Sequence, residues 1–479
     1  MPADDLQEHF QQAEQLVTQH SAELRKELRL GDLVLSHVLY IAGLQWIGTA
    51  GKLGSSHIMY WIPAVVLFFI PSGLVMIHLS GEMPLEGGLY QWVKLRFGDL
   101  AGFLVALNLW ATAVLIIASG ISQLMDNVGY AAGPSGAWIV ENKVLTLALG
   151  AIMLAGLLWL AVRGLGIAKW LHNAGGFIQL LMLALMVLLA VPRWVRGGAE
   201  VRPVAFTFPA LSLLNLNLLG KMGFGAFCGF DGTAVFAGEV RHPEVARTVR
   251  RSIWLAAPLI ALFYILGTAS ALTFTKPDAL DLISPTTQAL NKGAEAAGLT
   301  SLVTPAAVLT ILFIVGSCSV YYNAVIRLPM VAGWDHLLPE WLSRLHPRYR
   351  TPVGSIVLVG VATLAMTVLG NAGTGAQESF QLINSAGIIC WSLTYLVMFS
   401  IPLFAAGEKP PAGIRVAAVS GLAMTLLYTA LSIFPIVDVK NAAAFTVKAA
   451  GFVGALNLLG AWYFQRANAA RSRHEPGRF

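Results

Sequence analysis

Apolar stretches long enough to cross a lipid bilayer recur from residue 32 to residue 464 of this 479-residue chain. Such a chain has few folding options: inside the hydrocarbon layer there is no water to satisfy backbone N–H and C=O groups, so each crossing segment must satisfy its own, as a helix does. Twelve candidate spans follow, at about 32–56, 59–79, 100–124, 144–162, 170–191 and 216–240, then at about 253–274, 302–331, 353–369, 380–404, 416–433 and 442–464. Composition points the same way, because 56% hydrophobic and 12% charged residues leave too little polar surface to cover a water-soluble core. The expected fold class is an all-α integral membrane protein with 12 transmembrane helices.

The net charge of +6 does not indicate a nucleic-acid partner, since the Lys and Arg residues cluster in the short joints between apolar stretches. Cytoplasmic loops accumulate Lys and Arg. With the N-terminus inside, about two thirds of the 31 basic residues fall on the inner side, Arg247, Arg250, Arg251, Arg344, Arg348 and Arg350 among them. Both termini are therefore expected in the cytoplasm, with the chain in a cytoplasmic (inner) membrane. Arg193, Arg196 and Arg202 fall in an outer loop and dissent from this assignment.

Residues 1–30 carry no continuous apolar stretch, so no signal peptide is expected, yet Leu6, Phe10, Ala13, Val17, Leu24 and Leu28 share helical spacing. An amphipathic cytoplasmic segment fits that pattern. Cys228, Cys318 and Cys390 lie far apart inside apolar stretches and read as buried small residues, with neither a metal site nor a disulfide framework expected. No cofactor is expected either.

Two of the spans contain stretches that an unbroken helix would not need. Ile47, Gly48, Thr49, Ala50 and Gly51, followed by Lys52 and Gly54, lie in the first span. Gly223, Gly225, Gly229 and Gly232 surround Phe227, Cys228, Phe230 and Asp231 in the sixth. If both stretches unwind, half-helix N-termini offer N–H groups to a carboxylate and freed carbonyls accept from an ammonium group, which suits an amino acid. Close helix packing is the competing explanation for any one glycine-rich span. Spans one and six are corresponding members of two five-span units, where inverted-repeat transporters keep their discontinuous helices.

Four stretches carry a resemblance to the amino acid–polyamine–organocation permeases. They are Gly48–Gly51 in the first span; Glu82, Pro84, Gly87, Gly88 and Tyr90 after the second; Phe227, Gly229, Phe230, Asp231, Gly238, Glu239, Pro243 and Arg247 in and after the sixth; and Trp334, Asp335, Leu338, Pro339, Thr351 and Pro352 after the eighth. The resemblance implies a LeuT-like 5+5 inverted repeat, with repeats at 31–192 and 212–406 and two peripheral helices at 407–466. It leaves a cytoplasmic segment at 1–30 and a tail at 467–479. It implies a permease moving amino acids by alternating access, not an enzyme.

Carried over residue by residue, the resemblance sets the substrate carboxylate at Gly48, Thr49, Ala50 and Gly51. Its amino group would face carbonyls near Trp46, Ile47, Phe227 and Cys228, beside the turn at Gly229. Phe227, Phe230 and Tyr321 become candidate lids. Lys52 departs from the family pattern. It can receive a second carboxylate, pair with Asp231, or extend toward the outer vestibule. Asp231 is a candidate proton carrier, partner of a cationic group, or helix-end cap. Glu239 and Arg241 are expected in a charge cluster with the loop after the second span.

His37, His57, His78 and His172 lie at membrane depth, each more readily read as packed than as a proton relay. Ser317 and Ser319 can bind sodium or satisfy their own backbone. Amino acids, polyamines and other organic cations all fit these residues as substrates. So do exchange, proton symport and sodium symport, and a nutrient sensor on the same fold. No metal-ligand cluster or nucleophile with an orienting base argues for an enzyme.

Overall fold

A computed structural model describes residues 26–83, 87–234, 240, 245–334, 337–371, 375–404, 410–436, 439 and 441–474. Residues 1–25 of the expected amphipathic segment at 1–30, the expected charge cluster at Glu239 and Arg241, and residues 475–479 of the tail lie outside the described residues. Among the described residues every regular element is a helix, with ten long and apolar enough to cross a membrane and an eleventh if one bent pair is a single span.

In chain order, the bent pair is α1 (Leu30–Ile41) and α2 (Gln45–Gly51), followed by α3 (Gly54–Glu82), α4 (Asp99–Ala132), α5 (Lys143–Arg163) and α6 (Leu165–Arg196). Next comes the short α7 (Leu213–Gly220), then α8 (Val245–Phe274), and α9 (Pro285–Ala296), which is polar on average and does not qualify as a span. The remaining spans are α10 (Thr300–Ala332), α11 (Val353–Gly370), α12 (Gln377–Phe404), α13 (Ala412–Leu431) and α14 (Ala442–Ala469). Eleven of the twelve expected stretches thus coincide with a span or with the bent pair. The sixth, 216–240, is no continuous helix: α7 runs into a π-turn at Lys221–Gly225, and a separate turn of helix begins only at Asp231.

Helix α4 is the central post, packed along α10 and α12. The bent pair is held on its other side by α6 and α8. Burial separates core from periphery: 67% of the apolar window is buried in α4 and in α12, against 17% in α14. A helix of this mean hydropathy with so little protein around it has lipid as its solvent.

The first break does not fall where the glycines suggested. Gly48, Thr49, Ala50 and Gly51 are helical and buried within α2, and the chain turns by 48° earlier, across Ala42, Gly43 and Leu44. Glycine at 48 and 51 serves close approach instead: a Cβ at Gly48 would lie 2.7 Å from the backbone carbonyl of Asp281, and one at Gly51 would overlap the side chain of Leu280. A small-residue face at a helix contact lets two backbones come together.

Candidate functional site

The two breaks sit side by side. At the first, the Ala42 N–H still donates to the Val38 carbonyl at 3.0 Å, closing α1, and Gly43 N–H turns back to Ile41 at 2.8 Å. At the second, Cys228 N–H donates to Phe224 at 2.9 Å, after which Gly229 adopts φ +137°. Side chains rarely tolerate that conformation, so glycine is required there. The same position is crowded, since a Cβ on Gly229 would approach Ile41 within 2.7 Å.

One side chain joins the breaks. The Tyr264 hydroxyl of α8 lies 2.8 Å from the carbonyl of Ile41 and 2.9 Å from that of Ala226, so a single donated proton is shared between one buried carbonyl at each break. Gln179 of α6 donates its amide to the Ala42 carbonyl, and Tyr321 of α10 donates to the Tyr40 carbonyl at 2.6 Å. These donors do what the helix ladder no longer does.

Asp231 is buried just past the second break. Its carboxylate accepts from the Tyr395 hydroxyl at 2.7 Å and from the Trp391 indole N–H at 3.1 Å, both on α12. The Tyr395 oxygen in turn accepts from Gly229 N–H at 3.0 Å. The carboxylate therefore fixes the broken backbone through one intermediate oxygen. Lys52, half-buried beyond the end of α2, makes no ion pair with Asp231.

Aromatic rings close the centre. Tyr40 stacks on Tyr321 with centroids 4.0 Å apart and meets Trp391 edge-on at 5.6 Å. Phe69 lies flat against both Phe227, at 4.4 Å, and Phe230, at 5.0 Å, and Phe227 also abuts Tyr264. Of the expected site residues, Phe227, Cys228, Gly229, Phe230, Asp231 and Tyr321 converge here. Trp46 joins them by packing its ring on Gly225. Ile47 is helical, and Thr49 spends its hydroxyl on the Gln45 carbonyl one turn back, at 3.2 Å.

A cavity of about 40 Å³ opens beside the first break, between α4 and α10, with Tyr40, Gly43, Leu44, Gln45, Ser119 and Ser317 in its wall. No charged side chain lines it. The N–H groups of Leu44 and Gln45, at the start of α2, find no acceptor among the described residues, and neither the Phe227 nor the Cys228 carbonyl accepts from any described donor. Gly120 lets Cys318 press into the gap between α4 and α10.

The serines weighed for sodium have protein partners. Ser317 donates to the Leu39 carbonyl at 3.4 Å, and Ser319 lies 3.0 Å from His172 Nε2 across α6 and α10. His37 pairs with Ser252 at 3.1 Å and His57 with the Pro203 carbonyl at 2.9 Å, while His78 faces Glu82 at 3.2 Å. Sequence reasoning passed over Tyr264, Gln179, Trp391 and Tyr395, each one polar atom in an apolar run. It also passed over Lys221, buried at 3% exposure with its ammonium nitrogen 5.7 Å from the Tyr428 ring centre. A cation at that depth was the available signal.

A many-span bundle with two interrupted helices joined at mid-chain polar contacts defines a membrane transporter, since irregular backbone is tolerated in a bilayer only where protein or a cavity surrounds it. A family model for amino acid permeases matches residues 31–456, and the chain belongs to that family as a multi-pass secondary transporter. It is 25% identical over 392 residues to an uncharacterized transporter of Legionella pneumophila, covering 81% of this chain and 82% of that protein. It is 21% identical over 385 residues to a probable agmatine/putrescine antiporter of Lactococcus lactis, covering 78% of each. It is 24% identical over 412 residues to the large neutral amino acids transporter small subunit 2 of Rattus norvegicus, covering 84% of this chain and 73% of that protein.

Proposed function

We propose that this permease carries amino acids with small uncharged side chains, by alternating access around the two breaks. The observation that carries the reading is the set of backbone groups left over at two adjacent breaks: Leu44 and Gln45 present N–H groups in the wall of a cavity that no charged side chain lines, and Phe227 and Cys228, at the neighbouring break, present carbonyls. The carboxylate is assigned to Gly43–Gln45 in place of Gly48–Gly51. Its amino group is assigned to Phe227 and Cys228, with the buried Asp231 charge nearby in sequence favouring a cation. Phe227, Phe230 and Tyr321 serve as lids. The sixth stretch counts as the twelfth span, giving inverted repeats at 31–192 and 212–406, a peripheral pair at 407–466 and both termini in the cytoplasm of the inner membrane. Glu239 and Arg241 belong to the inner gate.

A second reading, transport of a polyamine or agmatine-like cation, rests on Asp231, whose carboxylate is the buried anion of the centre. Uptake by purified protein in liposomes separates the two. Saturable uptake of alanine- or serine-sized amino acids, with putrescine and agmatine not competing, supports the first; competition by those cations alone overturns it. Preloading the lumen distinguishes exchange from symport, and imposed proton or sodium gradients identify a coupling ion.

A further inference from the structure

Arg193, Arg196 and Arg202, the basic residues that dissent from the charge pattern of the other loops, lie at the joint between α6 and α7. Toward the end of α6, Leu188, Val191 and Val195 keep one exposed face, and Val195 in the last turn is 81% exposed. The chain then turns at Gly197, φ +75°, and forms neither helix nor strand until Leu213. The apolar face continues through this joint: Phe206, Phe208, Leu211 and Leu213 are each between 74% and 85% exposed. Large apolar side chains gathered in one exposed segment mark a place of interaction.

The opposite edge of the joint is fastened to the protein. Ala205 N–H donates to the Ser55 carbonyl at 2.8 Å, the Thr207 and Ser56 hydroxyls lie 2.9 Å apart, and the Pro203 carbonyl lies 2.9 Å from His57 Nε2. Glu200 N–H donates to the Thr273 carbonyl at 3.1 Å. Thr207 thus faces the start of α3, and Phe206 and Phe208 on either side of it face away, as alternation along an extended chain requires. An irregular backbone is not tolerated against hydrocarbon, which sets this one at headgroup depth, where water reaches its N–H groups and aromatic side chains collect. Pro203 and Pro209 carry no N–H to satisfy. Charge follows the same boundary. Arg196 and Arg202 are exposed and make no hydrogen bond or ion pair among the described residues, Arg193 lies over the Phe274 ring at 5.0 Å, and the one carboxylate in the joint is Glu200.

We propose that residues 195–213 form an in-plane membrane anchor that binds anionic phospholipid. The exposed apolar side chains enter the boundary between headgroups and acyl chains, and the guanidinium groups of Arg196 and Arg202, planar forks suited to phosphate oxygens, take the headgroups. Charge selects this occupant over a second copy of the chain, because across a two-fold interface the same cationic patch would face itself. On the topology proposed above the leaflet is the outer one; the binding itself does not depend on that assignment. The arginines that dissent from the rule for loops are then lipid ligands. Because the joint is tied to Ser55, Ser56 and His57, lipid bound here also holds the start of α3, next after the bent pair.

The native cysteines Cys228, Cys318 and Cys390 are buried, so the full chain carrying Phe208→Cys takes a spin label at one accessible position. In nanodiscs, that label is challenged with oxygen, which concentrates in lipid, and with a water-soluble nickel complex. The 208 label should meet oxygen preferentially, while a label at Gly198→Cys, where an added Cβ meets open space, should meet the nickel complex. Preference of the 208 label for the nickel complex would overturn the proposal, and so would dipolar coupling between the 208 labels of two copies, which would put a second chain in place of lipid. The arginines are tested by melting temperature in phosphatidylglycerol discs against phosphatidylcholine discs. The parent protein should melt higher in phosphatidylglycerol, by an amount that shrinks as salt is raised. The exposed double variant R196Q/R202Q should melt like the parent in phosphatidylcholine and lose part of the gain. A gain equal to the parent's would overturn the assignment of headgroups to these arginines. None of these readouts uses uptake, so they stand or fall apart from the substrate assignment.

Discussion

The break in the first span and the break in the sixth solve one problem by different means. At the first break the Ile41 and Ala42 carbonyls are met by neutral donors, Tyr264 of α8 and Gln179 of α6, and no charged side chain bonds to either. At Cys228–Phe230 the backbone is fixed by a left-handed glycine and by a carboxylate acting through Tyr395. The first is held by hydrogen bonds that can be exchanged one at a time. The second depends on a conformation only glycine adopts readily and on a carboxylate whose two side-chain donors, Trp391 and Tyr395, come from α12. This contrast implies that the first break is the adaptable half of the site and the second its fixed reference.

The largest expected effect tests that contrast directly. Gly229→Ala adds backbone strain of about 1–3 kcal/mol and a Cβ against Ile41, and should abolish uptake and lower the melting temperature of the protein. Gly43→Ala places its Cβ against the flexible end of Gln45 and should cost under about 1 kcal/mol. Equal losses in the two variants would end the comparison. Next comes Asp231→Asn, which removes the charge but keeps the shape: Trp391 and Tyr395 donate to different oxygens, so the amide leaves one of them facing an NH2 group, uptake should fall on the order of tenfold or more, and an unchanged rate would make the carboxylate a bystander.

Tyr264→Phe removes the proton shared by both breaks and should cost about 1–3 kcal/mol in thermal stability, read in the same melts. Because it touches both, its effect should be less than additive when combined with Gln179→Ala at the Ala42 carbonyl. The smallest expected effect is Thr49→Val. Since that hydroxyl is spent on its own helix, substrate affinity should change less than about twofold. A large rise in KM would return the carboxylate to Gly48–Gly51.

Much of this was readable before any coordinates. Eleven of the twelve stretches inferred from apolar length coincide with a span or the bent pair, since solvent alone dictates that pattern. The second break falls inside the glycine-rich stretch from Gly223 to Gly232 that the sequence singled out, at Gly229. The first was misplaced by several residues. Gly48 and Gly51 look like helix breakers in sequence, but they are contacts for the loop at Leu280 and Asp281, more than two hundred residues away. Asp231 and Lys52 were weighed as a pair; the structure instead gives Asp231 two donors from α12. Lys221 was visible in the sixth stretch and was overlooked there.

By itself, then, the sequence determined that this protein lives in lipid, where eleven of its apolar crossing stretches lie, and which family of permeases it joins. Those properties follow from apolar length and from short motifs in fixed order, both local in the chain. Tertiary structure alone decided which glycine bends a helix and which admits a neighbour, which donor reaches a freed carbonyl, and which edge of the joint between α6 and α7 is fastened to Ser55, Ser56 and His57. The physical reason is that a backbone group buried in lipid must find a partner, and partners such as Tyr264, Gln179 and Tyr395 come from distant helices whose approach no local pattern encodes.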